Sequence, residues 1–326
     1  MILSFNEITR IITAELESTT WDKKPETLYL PICYTLSLGG KRIRPALTLM
    51  ACNLFSDNIA PAIKPALGIE VFHNFTLLHD DLMDRAEIRR GKPTVYRKWN
   101  DNVAILSGDV MQIEAYKLIA ETPEKYLKQV LDLFSVTAAE ICEGQQYDMD
   151  FETKTDVTLV EYIEMIRLKT AVLLGCALKT GGIIGGANAK DADLLYRFGI
   201  ELGIAFQLKD DLLDTYGNTE TFGKKIGGDI ACNKKTFLLI HALRKSEGET
   251  KDRLHGWLEA PSGKDEQDKI SAVTEIYNSL GIKEICEEAI FQYYKKSIDF
   301  LNNVSVPEAN KIPLKELAEL LLKRED

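Results

Sequence analysis

The chain has 326 residues, enough for one large domain or two ordinary ones and for an extensive buried core. Hydrophobic residues make up 45% and charged residues 28%, which is typical of a globular chain and excludes a disordered one. The formal net charge of −10 argues against nucleic acid as a partner, because binding to phosphates needs a basic surface. The six cysteines form no CxxC pair, so neither a thiolate metal site nor a disulfide framework is predicted.

The first residues predict a helix and not a secretion signal. Ile8 and Ile12 belong to an apolar stripe with helical spacing, and Ser4 with Glu7 forms the pattern of a capping box. No basic segment followed by an apolar stretch is present, so a cytoplasmic protein with reduced thiols is expected. One of the longest apolar runs, residues 171–178, is far shorter than the roughly 18 residues that span a bilayer, so no transmembrane segment is expected.

The placement of proline predicts long helices in the middle of the chain. All ten prolines lie outside residues 124–260, and a proline inside a helix costs about 3 kcal/mol. Apolar residues repeat with helical spacing along 159–174 and 195–212. No series of alternating strands bounded by turn residues is found. We therefore predict an all-α fold in which residues 1–326 form a single large helical domain.

Glycines and polar clusters mark the predicted connections. Gly39 and Gly40 interrupt the second helical stretch, and residues 85–95 are predicted to form a loop. The segment 214–233 contains four glycines and is expected to form a mobile connection. A polar segment, 246–269, is expected to separate the last helices.

Two DDxxD segments carry the strongest chemical signal, one at 80–84 and the other at 210–214. On a helix, the first and last aspartates of such a segment share a face. Like charges at this spacing destabilise a helix by a few tenths of a kcal/mol, whereas Mg²⁺ would reverse the sign by binding the carboxylate oxygens. One copy alone could be a solvated acidic helix end. Two copies, each after an apolar helical run, predict a site for Mg²⁺ and an anionic ligand.

Basic residues cluster beside both acidic segments. Arginine suits bidentate contact with phosphate, and lysine acts as a point charge. A single such residue is ordinarily a solvated surface charge, but the joint placement favours anion binding. The basic residues are Lys41, Arg42, Arg44, Arg89, Arg90, Lys169, Lys224, Lys225, Lys234 and Lys235.

In combination these motifs resemble the trans-isoprenyl diphosphate synthases, also called polyprenyl synthetases, from about residue 28 to residue 240. The resemblance implies a single all-α bundle of the isoprenoid synthase type with a central substrate cavity. It also implies a homodimer and three Mg²⁺ ions per active site. The motifs that carry it are GGKRIRP at 39–45, LLHDDLMD at 77–84, RRGKPT at 89–94, GQ at 144–145, KT at 169–170, FQLKDDLLD at 206–214, GKKIGGD at 223–229 and NKKT at 233–236.

The resemblance assigns roles residue by residue. It implies catalytic roles for Asp80, Asp81, Asp84, Lys169, Thr170, Gln207 and Asp210. It implies that the magnesium ligands are Asp80, Asp84, Asp210 and Asp214. It implies substrate contacts at Lys41, Arg44, His73, Arg89, Arg90, Lys224 and Lys234, with Lys225 as the alternative to Lys224.

The resemblance also divides the basic residues between the two substrates. Arg89, Lys169 and Lys234 would hold an allylic diphosphate, whereas Lys41, Arg44, His73 and Arg90 would hold isopentenyl diphosphate. His73 precedes Asp80 by two helical turns and therefore shares its face, while His79 points about 100° away. Thr170 and Gln207 would stabilise the allylic cation, and the segment 214–233 is a candidate lid that excludes water.

The implied reaction is the ionisation of an allylic diphosphate followed by condensation with isopentenyl diphosphate and loss of a proton. Phe75, five residues before Asp80, and Thr76, four before, resemble the pattern of C20 producers, although Phe72 could also form the floor of the tunnel. Geranylgeranyl diphosphate is therefore the expected product, with farnesyl diphosphate as the alternative. A terpene cyclase normally lacks the second DDxxD, and a regulatory subunit of a hetero-oligomeric synthase typically loses an acidic motif, so both alternatives are disfavoured.

Overall fold

The computed structural model describes residues 2–21, 23–217, 226–260 and 266–323. Its helices, in chain order, are α1 (Phe5–Ser18), α2 (Glu26–Ser37), α3 (Ile43–Asn53), α4 (Ala60–Met83), α5 (Val95–Lys98), α6 (Asp101–Ile119), α7 (Glu124–Thr153), α8 (Leu159–Ile166), α9 (Val172–Gly185), α10 (Ala189–Tyr216), α11 (Gly228–Ala231), α12 (Phe237–Lys245), α13 (Gly248–Glu259), α14 (Glu266–Ser279), α15 (Ile282–Asn302) and α16 (Glu308–Leu322). Two short strands, β1 (Ile88–Arg89) and β2 (Lys92–Pro93), form a hairpin, and a π-helical turn (Arg167–Ala171) joins α8 to α9. The predicted all-α architecture is confirmed, and the hairpin adds local structure to a segment predicted to be a loop.

The helix ends follow the local sequence signals. Ser4 and Glu7 form the predicted capping box at the start of α1. Thr158 and Glu161 form a second capping box that starts α8. The long helices α7 and α10 lie in the proline-free part of the chain, as predicted.

The chain groups into two compact units. Unit 1 comprises Met1–Val136, Cys176–Tyr196 and Asn302–Lys315, and unit 2 comprises Thr137–Gly175, Arg197–Leu301 and Glu316–Asp326. The prediction of one domain over 1–326 stays a prediction.

The core of unit 1 forms around α3, α4 and α6. Every residue of α3 from Pro45 to Asn53 is buried, and α4 packs along α6. Gly68 on α4 makes this close packing possible, because a Cβ there would lie 2.9 Å from the carbonyl oxygen of Ala115 on α6. This packing fixes α4, which carries the first acidic motif at its end.

The core of unit 2 surrounds α10, which carries the second acidic motif. Leu208 and Leu212 of α10 are buried against an apolar cluster that includes Tyr162, Phe237 and Tyr277 from α8, α12 and α14. Burial of large side chains on several helices fixes the rotation of α10 about its axis.

One stretch among the described residues, Leu159–Gly185, is long and apolar enough to cross a bilayer, but 78% of its most apolar window is buried inside the protein. It has the burial of a core helix.

Two segments predicted to be connections contain helices. The polar segment 246–269 is not simply a connection, because residues 248–259 of it form α13. The segment 214–233 is helical at both ends, in α10 and α11, and its centre, residues 218–225, lies outside the described residues. The predicted lid therefore stays a prediction.

Candidate active site

The first acidic motif occupies the C-terminal end of α4. Asp80 and Asp81 lie in the last turn, and Asp84 caps the helix with its backbone N–H donating to the carbonyl of Asp80 at 2.9 Å. The C-terminal end of a helix carries partial negative charge, so carboxylates there repel it. Three acidic side chains in this position form a local field that favours a bound cation.

The hairpin β1–β2 brings Arg89 to this motif. Its two-residue loop, Arg90 and Gly91, has positive φ at both positions, which suits a tight hairpin turn. The Nε of Arg89 donates to both carboxylate oxygens of Asp81 at 2.8 Å, and its Nη2 lies 3.7 Å from an oxygen of Asp80. Burial raises the pKa of Asp81, although the hydrogen bonds from Arg89 oppose this shift. Asp81 is therefore the aspartate that anchors Arg89.

Arg44 and His73, two of the predicted substrate contacts, lie beside each other in unit 1. A guanidinium nitrogen of Arg44 lies 3.1 Å from Nε2 of His73. Burial and the surrounding arginines hold the pKa of His73 well below its usual range, so the ring is neutral and accepts this hydrogen bond. Burial lowers the pKa of Arg44 to about 10, yet its Nε is buried with no hydrogen-bond partner. A buried cationic donor without a partner is suited to an anionic ligand.

The loop before α3, which carries Lys41 and Arg42, is held by contacts to α4 and to the hairpin. Arg42 donates to Glu70 of α4 at 2.6 Å, and both side chains are buried. Arg90 donates to the carbonyl of Gly39, and its guanidinium would lie 2.9 Å from a Cβ at Gly40. Glu70, which no sequence motif marked, is the buried counter-charge of this loop.

The second acidic motif lies near the C-terminal end of α10 in unit 2. Asp211 accepts a hydrogen bond from the hydroxyl of Tyr162 and another from Nε2 of Gln207 at 3.2 Å. Asp214 accepts from the backbone N–H of Asp229 at 2.9 Å. Burial raises the pKa of Asp211 and Asp229, and neighbouring carboxylates raise that of Asp229 further. Negative charge is therefore costly here without a cation.

The π-helical turn carries Lys169 and Thr170. The ammonium group of Lys169 lies 2.7 Å from a carboxylate oxygen of Asp148, and that of Lys234 lies 3.6 Å from the same atom. Thr170 donates to the side-chain oxygen of Gln207 at 3.2 Å. Burial favours a raised pKa for Asp148, but the two lysines outweigh it and lower the pKa. Asp148, which no sequence motif marked, contacts two of the predicted lysines, Lys169 and Lys234.

Gly144 of the GQ motif lies against this turn. A Cβ at Gly144 would lie 2.3 Å from the backbone nitrogen of Lys169 and 2.7 Å from its Cα. The backbone of α7 therefore touches the backbone of the π-helical turn. Only glycine leaves room for this approach.

The donor set of both motifs suits Mg²⁺. Within the described residues, no three His, Cys, Asp or Glu side chains form a preformed metal cage. Mg²⁺ is ordinarily held by one or two carboxylates together with phosphate oxygens and water, so it does not need such a cage. Hard carboxylate oxygens beside cationic groups therefore fit a magnesium–diphosphate complex.

The predicted chain-length residues lie in an aromatic cluster of unit 1. The ring of Phe72 lies 5.3 Å from that of Phe75 and 5.1 Å from that of Phe134 on α7. Phe134 in turn packs on Tyr116 at 4.9 Å. Thr76 donates its hydroxyl to the carbonyl of His73. The prediction from sequence named the first two rings but not the two behind them.

The remaining predicted contact, at Lys224 or its neighbour Lys225, lies outside the described residues. Between Lys224 and Lys225, the choice stays open.

Solved structures of prenyl synthases share this fold. A crystal structure of a geranylgeranyl pyrophosphate synthase matches 99% of this chain and 100% of its own, with a TM-score of 0.94 and 41% identity. The geranylgeranyl pyrophosphate synthetase of Pyrococcus horikoshii matches 98% of this chain and 97% of its own, with a TM-score of 0.91 and 34% identity. The fold is therefore that of the isoprenyl diphosphate synthases.

The family is established by sequence as well. The profile of the polyprenyl synthetase family matches residues 25–277, and the chain belongs to this family, as its motifs indicated. The geranylgeranyl diphosphate synthase of Methanosarcina mazei is 43% identical over 225 residues, which cover 68% of this chain and 69% of that protein. The geranylgeranyl diphosphate synthase of Sulfolobus acidocaldarius is 36% identical over 98% of this chain and 97% of its own.

Proposed function

We propose that this protein is a magnesium-dependent prenyltransferase that condenses isopentenyl diphosphate with allylic diphosphates to geranylgeranyl diphosphate. The observation that carries the proposal is the buried guanidinium of Arg44, whose Nε has no partner beside a neutral His73. It supplies an anion site in addition to the two acidic motifs. A cyclase has one diphosphate substrate and does not need that additional site.

In unit 1, we assign the first magnesium-binding carboxylates to Asp80 and Asp84, and a diphosphate contact to Arg89. Arg44 and His73, with Lys41 and Arg90, are assigned to isopentenyl diphosphate. The pairing of Arg89 with Asp81 holds the guanidinium beside the motif before any ligand arrives. This arrangement limits the side-chain entropy that ligand binding would otherwise cost.

In unit 2, Asp210 and Asp214 are assigned as magnesium ligands, and Lys169 and Lys234 as diphosphate contacts. Mg²⁺, when bound, would neutralise charge on the departing diphosphate. Lys169 and Lys234 already lie at one carboxylate, that of Asp148, and so are held close together. Their two charges add to the electrostatic stabilisation of the leaving group.

The reaction breaks the C–O bond of the allylic diphosphate, and the electron pair leaves with the diphosphate. The double bond of isopentenyl diphosphate then supplies the electrons of the new C–C bond. A proton leaves the resulting cation and passes to the released diphosphate. The oxygen atoms of Thr170 and Gln207 are assigned to stabilise the allylic cation, and their mutual hydrogen bond orients them.

The C20 product is supported by the aromatic cluster of Phe72 and Phe75 and by the names of the two relatives above. An apolar tail stops growing where packed side chains leave no volume. Truncation of either ring should therefore lengthen the product by at least one C5 unit. Farnesyl diphosphate is the alternative product from the sequence, and a relative from Natronomonas pharaonis bears the name geranylfarnesyl diphosphate synthase.

The test is an incubation of the purified protein with Mg²⁺, isopentenyl diphosphate and each of dimethylallyl, geranyl and farnesyl diphosphate, with products sized by chromatography. EDTA should abolish condensation, and Asp80→Ala or Asp210→Ala should lower the rate by several orders of magnitude while the helical content stays unchanged. Asp132→Ala, which removes an exposed carboxylate paired with Lys128, is the control and should leave the rate unchanged.

Three outcomes would contradict the proposal. Condensation at the full rate in EDTA would show that the reaction does not require a divalent metal ion. Consumption of an allylic diphosphate without isopentenyl diphosphate would indicate a cyclase. Activity only in the presence of a second protein would indicate a regulatory subunit.

We also propose a cytoplasmic homodimer. The support is the exposure of large apolar side chains on unit 1, at Ile105, Leu106 and Ile113 of α6 and at Val136 of α7. Exposed apolar side chains of this kind are typical of an interface. Light scattering during gel filtration should give twice the chain mass, and Leu106→Glu should yield the monomer; a wild-type monomer would refute the dimer.

A further inference from the structure

Tyr162 on α8 is 2% exposed and lies in the core of unit 2. Its hydroxyl donates to Oδ2 of Asp211, which is itself only 6% exposed. The other oxygen of Asp211, Oδ1, accepts from Gln207 at 3.2 Å. Both oxygens of the central aspartate of the second acidic motif are therefore used by protein donors.

These contacts give the three aspartates of the motif different tasks. On α10, Asp211 points about 100° away from Asp210, while Asp214 shares the face of Asp210. Asp211 is buried, whereas Asp210 and Asp214 are only partly buried. A hydrogen bond to Asp211 therefore fixes the rotation of α10 at the motif, and with it the direction in which the other two carboxylates point.

A second contact joins the same two segments. Thr170 on the π-helical turn donates to Oε1 of Gln207, which lies one helical turn before Asp211. The segment 159–171 is therefore hydrogen-bonded to α10 at two positions, by Tyr162 to Asp211 and by Thr170 to Gln207. Because Lys169 is adjacent to Thr170, its backbone is held in place relative to α10 by the same hydrogen bond.

We propose that Tyr162 is a positioning residue that acts through Asp211 to aim Asp210 and Asp214 at the bound metal ion. The inference rests on the proposed function, because that function assigns these two carboxylates to the metal. Outer-shell hydrogen bonds of this kind typically change metal affinity or activity by 10- to 100-fold when they are removed.

The test is Tyr162→Phe, which removes one oxygen atom and keeps the buried ring. Mn²⁺ binding to the full-length protein in the presence of inorganic diphosphate, measured by electron paramagnetic resonance, should weaken about 10-fold or more. The rate constant kcat should fall by a similar factor, whereas KM for isopentenyl diphosphate should stay unchanged. The unfolding temperature should change by only a few degrees.

The matched control is Tyr216→Phe, at the end of α10, the helix that carries the second acidic motif. The hydroxyl of Tyr216 donates to Asn278 at 2.9 Å and does not contact the acidic motif. This variant also loses one tyrosine hydrogen bond, but it should bind Mn²⁺ like the wild type. Equal losses in both variants would show a general effect of removing a hydroxyl and would overturn the proposal.

Asp211→Asn supplies an independent arm, which also serves if Tyr162→Phe does not fold. It keeps the size of the side chain and should weaken Mn²⁺ binding to a similar degree. The double variant should be no weaker than either single variant, because both changes break the same connection. Additive losses, or wild-type Mn²⁺ binding by Tyr162→Phe, would overturn the proposal.

The two proposals fail in different ways. If the wild-type protein makes no prenyl product with any primer, the proposed function fails, and Mn²⁺ binding still decides the role of Tyr162. If the wild type is active and Tyr162→Phe matches it in both Mn²⁺ binding and kcat, only the role of Tyr162 fails.

Discussion

A single methyl group on Gly144 should disable the π-helical turn that carries Lys169. In Gly144→Ala, the new Cβ would meet three backbone atoms of Leu168 and Lys169 at 2.3 to 2.8 Å. Real Cβ atoms essentially never approach closer than 3.0 Å, so the two backbones must separate by at least 0.7 Å. No flexible side-chain end can absorb this movement, because all three atoms belong to the main chain.

The expected loss follows from that displacement. A misplacement of about 1 Å can cost roughly 100-fold in rate, so kcat/KM should fall by about this factor. The contact of Lys169 with Asp148 and that of Thr170 with Gln207 would both be disturbed. Overpacking costs about 1–3 kcal/mol, and replacing glycine by alanine in a helix returns about 1 kcal/mol. The free energy of unfolding should therefore fall by no more than about 2 kcal/mol.

The assay is the condensation of radiolabelled isopentenyl diphosphate with farnesyl diphosphate, with unfolding followed by circular dichroism. Gly256→Ala is the control, since a Cβ at this exposed position of α13 meets nothing within 4 Å. It should keep full activity and gain up to about 1 kcal/mol. If Gly144→Ala behaved like Gly256→Ala in both measurements, the turn would not depend on this close approach.

Three further predictions follow from the site. The unfolded state takes up a proton at histidine below about pH 6.5, whereas burial keeps folded His73 neutral, so the free energy of unfolding should fall by up to about 1.4 kcal/mol per pH unit on acidification. Urea unfolding at pH 7 and pH 5.5 should show a shallower loss for His73→Gln, and equal slopes would contradict the assignment. Arg44→Ala should raise KM for isopentenyl diphosphate by roughly 10- to 150-fold and leave that for the allylic substrate nearly unchanged; unaltered kinetics would show that the subsite is elsewhere. Phe75→Ala and Phe134→Ala should lengthen the product and Thr76→Phe should shorten it, as sized by chromatography; a fixed product length in all three would place the floor on neither α4 nor α7.

Local sequence signals predicted most of the helices but not all of them. The proline-free stretch and the apolar spacing predicted α7 and α10 because both signals act within a few residues. The helix α13 was missed because its sequence is mostly polar, and Leu254 is its only fully buried residue. Its existence depends on the surface on which it packs, which periodicity alone cannot reveal.

The residues of the candidate site likewise divide into those that the sequence predicted and those that it did not. The acidic motifs and their basic neighbours could be found in the sequence because each is compact and chemically distinctive. Asp148, Glu70 and Tyr162 could not, because their partners lie 21, 28 and 49 residues away along the chain. The pairing of such residues is a product of tertiary packing.

The π-helical turn makes the segment 159–185 sensitive to its length. Such a turn contains one residue more than the corresponding α-helical turn, so the side chains after it are rotated by about 100° relative to an uninterrupted helix. Deleting one residue from Arg167–Ala171 would give a smooth helix, but the side chains of α8 and α9 would no longer face the same way relative to each other. In an alignment of relatives, a one-residue gap inside this segment would therefore indicate that the side chains after the gap face a different direction. If Lys169 contacts diphosphate as proposed, the number of residues in this stretch matters to the site as much as the identity of that lysine.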